Sequence, residues 1–444
     1  MRSIIWYSTK LKIKEALKYD LKLLGLIPNI ILFGAALVLF YLNKQILAYN
    51  LCGNIFRTNW HGSLALPKLF MKLTLGEMIQ DNKKVEDIVR RYITNLSIEP
   101  NKQKFFDNPS KMLVSMIIVV RPWTQEHNGI LIIKYSYYFP IFLKVFNAES
   151  VAARYHIILE PSWAGYFDLS ILSYCKLSKP VFVMTYEERD KKFIEALNCN
   201  LKCIDVGPNW WVDFDNFKSG QLERDIDIIM IASWSSFKRH YFVLKALVEL
   251  KKNFKSRAIK TVFVGYAGDL SISFIKKMVA HFHLTDSVEF YEQVSTEKVA
   301  NLLMRSKVNL LWSRFEGNNR SIIEGLFCDT PVIIKKGHNF GYDYPYINNQ
   351  TGLFATENEL PLILKKIINN EIKFSPRNYV SQQHNYKVAL KRIEERVNDF
   401  TNVTSPLPLC DGKVNQLWGM SYLYPNTVEN YSRDYAFLKS TILN

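Results

Sequence analysis

Apolar runs alternate with polar, glycine- or proline-bearing joints along most of this chain, the pattern of buried strands separated by helices. The clearest case is KVNLLW (Lys307–Trp312), then the polar stretch SRFEGNNRSIIE (Ser313–Glu324), then PVII (Pro331–Ile334). It predicts strand, tight polar loop, short helix, strand. Glu316 falls in the loop at a strand's C-terminal end and Glu324 in the first turn of the next helix. Upstream, TVFVGYAG (Thr261–Gly268) predicts a strand and a glycine turn, and Ser287–Trp312 predicts strand, helix and strand. In the N-terminal half, KMLVSMIIVV (Lys111–Val120) reads as a strand, Arg121–Gly129 as its loop, and Ile130–Phe146 as a helix. Further strands are expected within Tyr155–Gly165, Pro180–Asp190 and Asn200–Gly207, with Glu160 at the C-terminal end of the first.

Near the N-terminus the pattern changes. Leu23–Leu42 is apolar throughout apart from Asn29, and Lys10, Lys12, Lys14, Lys18 and Lys22 precede it. Twenty helical residues span about 30 Å, the thickness of a bilayer core. Pro28 and Asn29 interrupt the run, so it reads as a spanning, re-entrant or interfacial segment, or as a buried helix. Residues 51–109 follow as a linker with a helical piece over Leu75–Ile93. The expected organisation is a basic, membrane-associated segment (1–50), the linker (51–109), two α/β domains (110–220 and 221–375), and C-terminal helices with a tail (376–444).

The polar loop carries the candidate chemistry. Gly317 lets the backbone approach a ligand. Asn318, Asn319, Arg320 and Ser321 offer donors where a helix N-terminus already favours an anion. A carboxylate accepts hydrogen bonds from vicinal hydroxyls, so Glu316 and Glu324, flanking a phosphate site, suit the two ends of a nucleotide-sugar. Ser321 and Glu324 equally spell an S-x-x-E capping box, in which Glu324 only caps its helix.

These motifs resemble the C-terminal half of a family 4 glycosyltransferase of the GT-B fold. The resemblance covers residues 225–370. It rests on Ser313-Arg-Phe-Glu316-Gly317, on Glu324-Gly325-Leu326, on Cys328-Asp329-Thr330-Pro331-Val332, on Thr261–Gly268 and Ser287–Trp312 upstream, and on Asn348–Phe354 downstream. It implies two Rossmann-like domains facing a cleft. It places Glu316 on the donor sugar, Glu324 on the donor ribose, the amides of Gly317–Ser321 on the diphosphate, and Gly265 in the glycine turn. A basic segment after the first strand of this half neutralises the diphosphate in that family. Lys238 matches its lysine, whereas its arginine position is Ser233, and Arg239 is the candidate replacement. The base contact is expected near Glu292–Ser295. On the acceptor side, Gly129 stands at the place of the family's loop glycine. Glu160 is either an acceptor-side group or a turn carboxylate. Trp163, Trp210 and Trp211 suit either a sugar platform or core packing, and His240 is a further candidate phosphate contact.

Composition narrows the classes. The chain has 444 residues, is 48% hydrophobic and only 22% charged, and is therefore globular rather than disordered. Its formal net charge of +16 suits an anionic donor or an anionic membrane. No nucleic-acid-binding signature accompanies it. No Cys/His metal spacing is present, and no cofactor beyond the nucleotide-sugar donor is expected. The resulting expectation is a retaining, metal-independent glycosyltransferase in cell-surface glycan synthesis. Its partners are a nucleotide-diphosphate sugar, a glycan or lipid-linked acceptor and a membrane surface, with the catalytic domains on the cytoplasmic face. The alternatives are a nucleotide-sugar epimerase of similar fold and a degenerate sugar- or membrane-binding module.

Overall fold

Strands rich in Ile and Val, buried on both faces, need helices or loops over each face, and this chain builds two such layers. The computed structural model describes residues 2–58, 65–75, 83–96, 103, 107–220, 222–254, 258–314, 316–337, 344–400 and 431–443. Phe315 of the polar loop, Cys410, parts of the expected 51–109 linker and most of the expected tail lie outside the described residues. The chain divides into two compact units. The first comprises Leu17–Trp211 with Ala389–Asn444, and the second Met1–Ala16 with Val212–Val388. A helix, α1 (Arg2–Glu15), opens the chain and belongs to the second unit.

The first unit begins with α2 (Lys22–Tyr41), α3 (Gln45–Thr58) and α4 (Ala65–Leu75). Its sheet follows: β1 (Ile117–Arg121), β2 (Gly129–Lys134), β3 (Tyr155–Glu160), β4 (Val181–Met184) and β5 (Leu201–Ile204), in that spatial order. The β1–β2 pair is antiparallel and the remaining pairs are parallel. Two expectations change here. The first half of Lys111–Val120 is helical, in a helix over Pro109–Met116 that starts at Pro109, where a missing N–H costs nothing. Ile130–Phe146 is not one helix. Ile130–Ile133 are buried in β2, and the helix starts only at Phe139, with Pro140 in its first turn. Short apolar runs fit a buried strand and a buried helix equally well, so periodicity could not separate them. The C-terminal helix Ser432–Ser440 returns to this unit. Asp434 accepts from the Trp123 amide at 2.8 Å, and the Tyr435 hydroxyl donates to Ile117 O at 3.1 Å.

The second unit holds six parallel strands: β6 (Ile228–Ile231), β7 (Thr261–Gly265), β8 (Val288–Glu292), β9 (Asn309–Leu311), β10 (Val332–Lys335) and β11 (Gly352–Ala355). Their spatial order is β11-β10-β9-β6-β7-β8. Between them run α5 (His240–Asn253), after β6, and α6 (Arg320–Phe327), after β9. Met230, Phe263, Leu310 and Ile333 from the sheet pack with Leu244 and Leu247 of α5. Ile4 and Leu11 of α1 complete this core. Burying each contributes roughly 1.5–3 kcal/mol, which holds the N-terminal helix on the unit. Both units thus carry the α/β layers with parallel strands that the GT-B resemblance implies.

Candidate functional site

In a parallel sheet all C-terminal strand ends share one edge, and ligands of open α/β sheets bind there. In the second unit that edge carries the loops after β6, β7 and β9. They bring together Lys238, Gly265, Glu316 and the start of α6.

Lys238 ends a short turn, Ser236–Lys238, between β6 and α5. Asp269 fixes this turn by accepting from the Ser236 amide and hydroxyl at 2.8 and 2.7 Å. The Lys238 ammonium donates to Glu316 Oε2. The two side chains, far apart in sequence, are only 9% and 14% exposed. The family's missing arginine position, Ser233, is occupied by a hydroxyl bonded to the Ser235 hydroxyl at 2.9 Å.

Arg239 takes a different path from its neighbour. Its φ of +63° makes it the left-handed N-cap of α5, and the residue is fully buried. Its guanidinium binds Glu357, lies 3.4 Å from Glu15 of α1, and stacks 4.0 Å over the Phe242 ring. His240 is also buried, against Trp234 and Phe263. Burial, with help from Lys238, pushes its imidazole down to about 3. A neutral ring packed between aromatics brings no positive charge to a phosphate.

The Glu316 loop is held from two sides. The Tyr344 hydroxyl donates to Gly317 O at 2.6 Å, and the Asn319 amide donates to the same oxygen at 3.0 Å. Asn319 is the N-cap of α6, and its side chain does not cap the first-turn amides. Ser321 instead donates to Asn319 Oδ1 at 2.7 Å. The capping box is therefore not formed. Asn319 precedes Ser321 by two positions, which moves Glu324 to the fifth residue of α6 rather than its first turn. Its carboxyl does not serve its own helix end. The polypeptide packed around Glu324 raises its carboxyl from the ordinary 4.5 to about 7, with Arg320 partly opposing.

Gly265 ends β7. A Cβ there would lie 2.2 Å from Ala232 O, so the approach of β7 to the chain leaving β6 demands glycine. Near the expected base contact, the Trp234 indole donates to Glu292 at 2.6 Å, and Ser295 caps the following helix by accepting from the Lys298 amide at 3.3 Å.

The acceptor-side candidates belong to the first unit. Gly129 is the first residue of β2, at the N-terminal end of the parallel strands. Its lack of a side chain is required by the Tyr155 ring and Arg121 O, 2.5 and 2.7 Å from where a Cβ would sit. It therefore does not lie at the strand C-terminal edge where a ligand-facing glycine loop belongs. Glu160 does: it is buried at the end of β3, paired in register with Lys134 at the end of β2, which is also buried. Trp210 and Trp211 are buried as well. Trp163 is half-buried, edge-on to Tyr137 at 5.0 Å, with the Arg57 guanidinium 5.6 Å away. Sequence reasoning missed Glu15, Glu357, Tyr344 and Trp234. Each lies far along the chain from the group it binds, and no local spacing marks it.

Residues 212–383 match the family model described as "Glycosyl transferases group 1". No curated protein matches the chain significantly. Among solved structures, similarity is found to a TarM variant of S. aureus in complex with fondaparinux, alpha-GlcNAc-glycerol and UDP. The identity is 15% and the TM-score 0.46, over 60% of this chain and 55% of that one. Sucrose-phosphate synthase from Thermosynechococcus elongatus is similar at 14% identity and a TM-score of 0.47, over 62% and 74% of the two chains. HepE of Anabaena, in complex with UDP and glucose, is similar at 15% identity and a TM-score of 0.44, over 56% and 72%. The matched segment, 212–383, is the one that holds the six-stranded parallel sheet and the paired Lys238 and Glu316.

Proposed function

We propose that the chain transfers a sugar from a nucleotide-diphosphate donor to a glycan or lipid-linked acceptor, with retention at the anomeric carbon. The observation that carries this reading is the Lys238–Glu316 pair beside the N-terminus of α6, where the Asn319 side chain makes no cap bond. A helix N-terminus and a nearby ammonium together suit a diphosphate. When the donor arrives, Lys238 exchanges one anion for another. Glu316 is then released to accept from hydroxyls of the donor sugar, and Glu324 accepts from the ribose. As the sugar–phosphate bond breaks, negative charge grows on the departing diphosphate. Lys238 and the α6 amides stabilise it, the kind of fixed electrostatic aid that is worth about 3–4 kcal/mol per donor. On this reading these groups, rather than a metal ion, take up the charge, and no carboxylate needs to act as a nucleophile. Cell-surface glycan synthesis is the setting we infer.

The test measures thermal stability against UDP-, GDP- and ADP-sugars, for the wild type and Glu324→Ala. A shift with one nucleotide class that the substitution removes supports the donor site. Transfer is then followed with and without added acceptor. An epimer released without acceptor replaces the transferase reading with an epimerase, and no shift with any nucleotide leaves a non-catalytic module.

A further inference from the structure

Helix α2 is the one described helix long and apolar enough to cross a membrane, yet only 22% of its apolar window, Leu24–Tyr41, is buried. Its exposed positions are ordered. Leu24, Ile27, Ile31, Gly34, Val38 and Tyr41 recur at three- to four-residue spacing and form one outward stripe. Gly25, Asn29 and Ala36 form the buried stripe opposite. A helix whose outer face meets water carries polar residues there; this one carries none between Leu23 and Leu42 except the inward Asn29.

The rest of the first unit restrains where α2 can go. A turn at Leu42–Lys44, with Asn43 at φ +59°, folds α3 back along it, and α4 packs beside both. The far end of α3 is locked to the sheet's loops. Tyr49 stacks on Phe167 at 5.5 Å, Phe56 meets Phe193 at 5.0 Å, Arg57 pairs with Asp168 at 2.6 Å, and Arg189 donates to Phe56 O at 2.7 Å. A bilayer crossing by α2 would drag α3 and α4 into hydrocarbon with it. Their exposed Asn50, Asn54, Lys68 and Lys72 oppose that, because ionised and polar side chains are costly at the bilayer centre.

We propose that α2 lies in the plane of an anionic membrane surface, its outer stripe among the acyl chains, and attaches the first unit to lipid without crossing. Basic residues indicate the charge of that surface. Lys44 in the turn that ends α2, and Lys68 and Lys72 on α4, which packs against α2, are exposed, and exposed basic residues near an apolar helix suit anionic lipid. The preceding helix, α1, shows the same chemistry within its own unit: Ile5, Trp6 and Ile13 are exposed among Lys10, Lys12 and Lys14. Both ends of α2 then stay on one side of the membrane, which leaves the catalytic domains with the cytosolic donor.

The experiment uses the full chain and sealed vesicles of phosphatidylcholine with or without phosphatidylglycerol. Expected results are flotation with the anionic vesicles, release by alkaline carbonate, and labelling of Lys10→Cys and Lys44→Cys from the same outer side. Ile27→Glu and Ile31→Glu should each weaken vesicle binding roughly tenfold or more. The melting temperature should stay unchanged because both side chains point outward. Resistance to alkaline extraction, with the two cysteines on opposite sides, would establish a spanning helix and overturn the proposal. A dimer in solution that Ile27→Glu dissociates, without vesicle binding by the wild type, would assign the stripe to a second copy of the chain and also overturn it. Donor-induced thermal shifts are read on the same samples, so failure of lipid binding remains distinct from failure of the donor site.

Discussion

Replacing Lys238 with Met separates its structural from its catalytic work. The pair it forms with Glu316 is almost enclosed, at 9% and 14% exposure. Removing one partner of a buried pair costs about 3–5 kcal/mol, because the other charge is left uncompensated. Glu316 keeps some access to water, so the lower end, about 3 kcal/mol, is expected. The second unit comprises Met1–Ala16 and Val212–Val388. For a body of that size each kcal/mol moves the melting temperature by about 2–4 °C, so Lys238→Met should lower its transition by roughly 6–12 °C. Adding Glu316→Gln removes the stranded charge and should restore most of that loss. Activity should not return, since the diphosphate has still lost its cation and the donor sugar has lost the Glu316 carboxylate; a deficit of at least about 10²–10³ in turnover is expected. Calorimetry and a transfer assay on the two single variants and the double variant give the full cycle. A double variant no more stable than Lys238→Met, or one whose activity recovers along with its stability, would refute these roles for the pair.

Two further outcomes follow from the geometry. Glu324 is raised in the fold from 4.5 to about 7. Its stabilising contribution is therefore present below about pH 4.5 and is lost as pH rises through 7. Urea midpoints at about pH 5 and 8 should show that loss in the wild type, and Glu324→Gln should remove it. If the ionised carboxylate receives the ribose hydroxyls, donor affinity measured by calorimetry should rise through pH 7 in the wild type and stay flat in the variant. Gly265→Ala would place a methyl 2.2 Å from Ala232 O, so β6 and β7 must part. A loss of about 1–3 kcal/mol or more is expected, read as a lower denaturant midpoint at unchanged slope.

The second unit was legible in the chain because buried parallel strands appear as apolar runs punctuated by Gly, Pro and Asn. Strand ends could therefore be located, and with them Lys238 and Glu316. Partners across the sheet were not legible. Arg239 is settled by Glu15 and Glu357, and nothing near Arg239 encodes either. The S-x-x-E pattern at Ser321, the alternative reading of Glu324, is not used because the helix starts two residues earlier, with Asn319 at its N-cap. In the first unit, Ile130–Ile133 and Phe139–Val145 are similarly apolar, and only Pro140 hints at where strand gives way to helix. Gly129 looked like a ligand glycine but is small because Tyr155 crosses it.

The placement of α1 has a consequence for how the protein is made. Ile4, Leu11 and Glu15 belong to a body whose remaining residues start at Val212. At about 5–20 residues per second on the ribosome, the helix waits on the order of 10–40 s before its seat begins to emerge. During that time its apolar side chains have no native partner, and chaperones or a lipid surface are their natural shelter. A fragment beginning at residue 212 would never receive the helix. It would expose the patch that Ile4 and Leu11 cover and leave Arg239 without Glu15, so poor solubility of such a fragment would report a missing helix rather than a fold unable to stand alone.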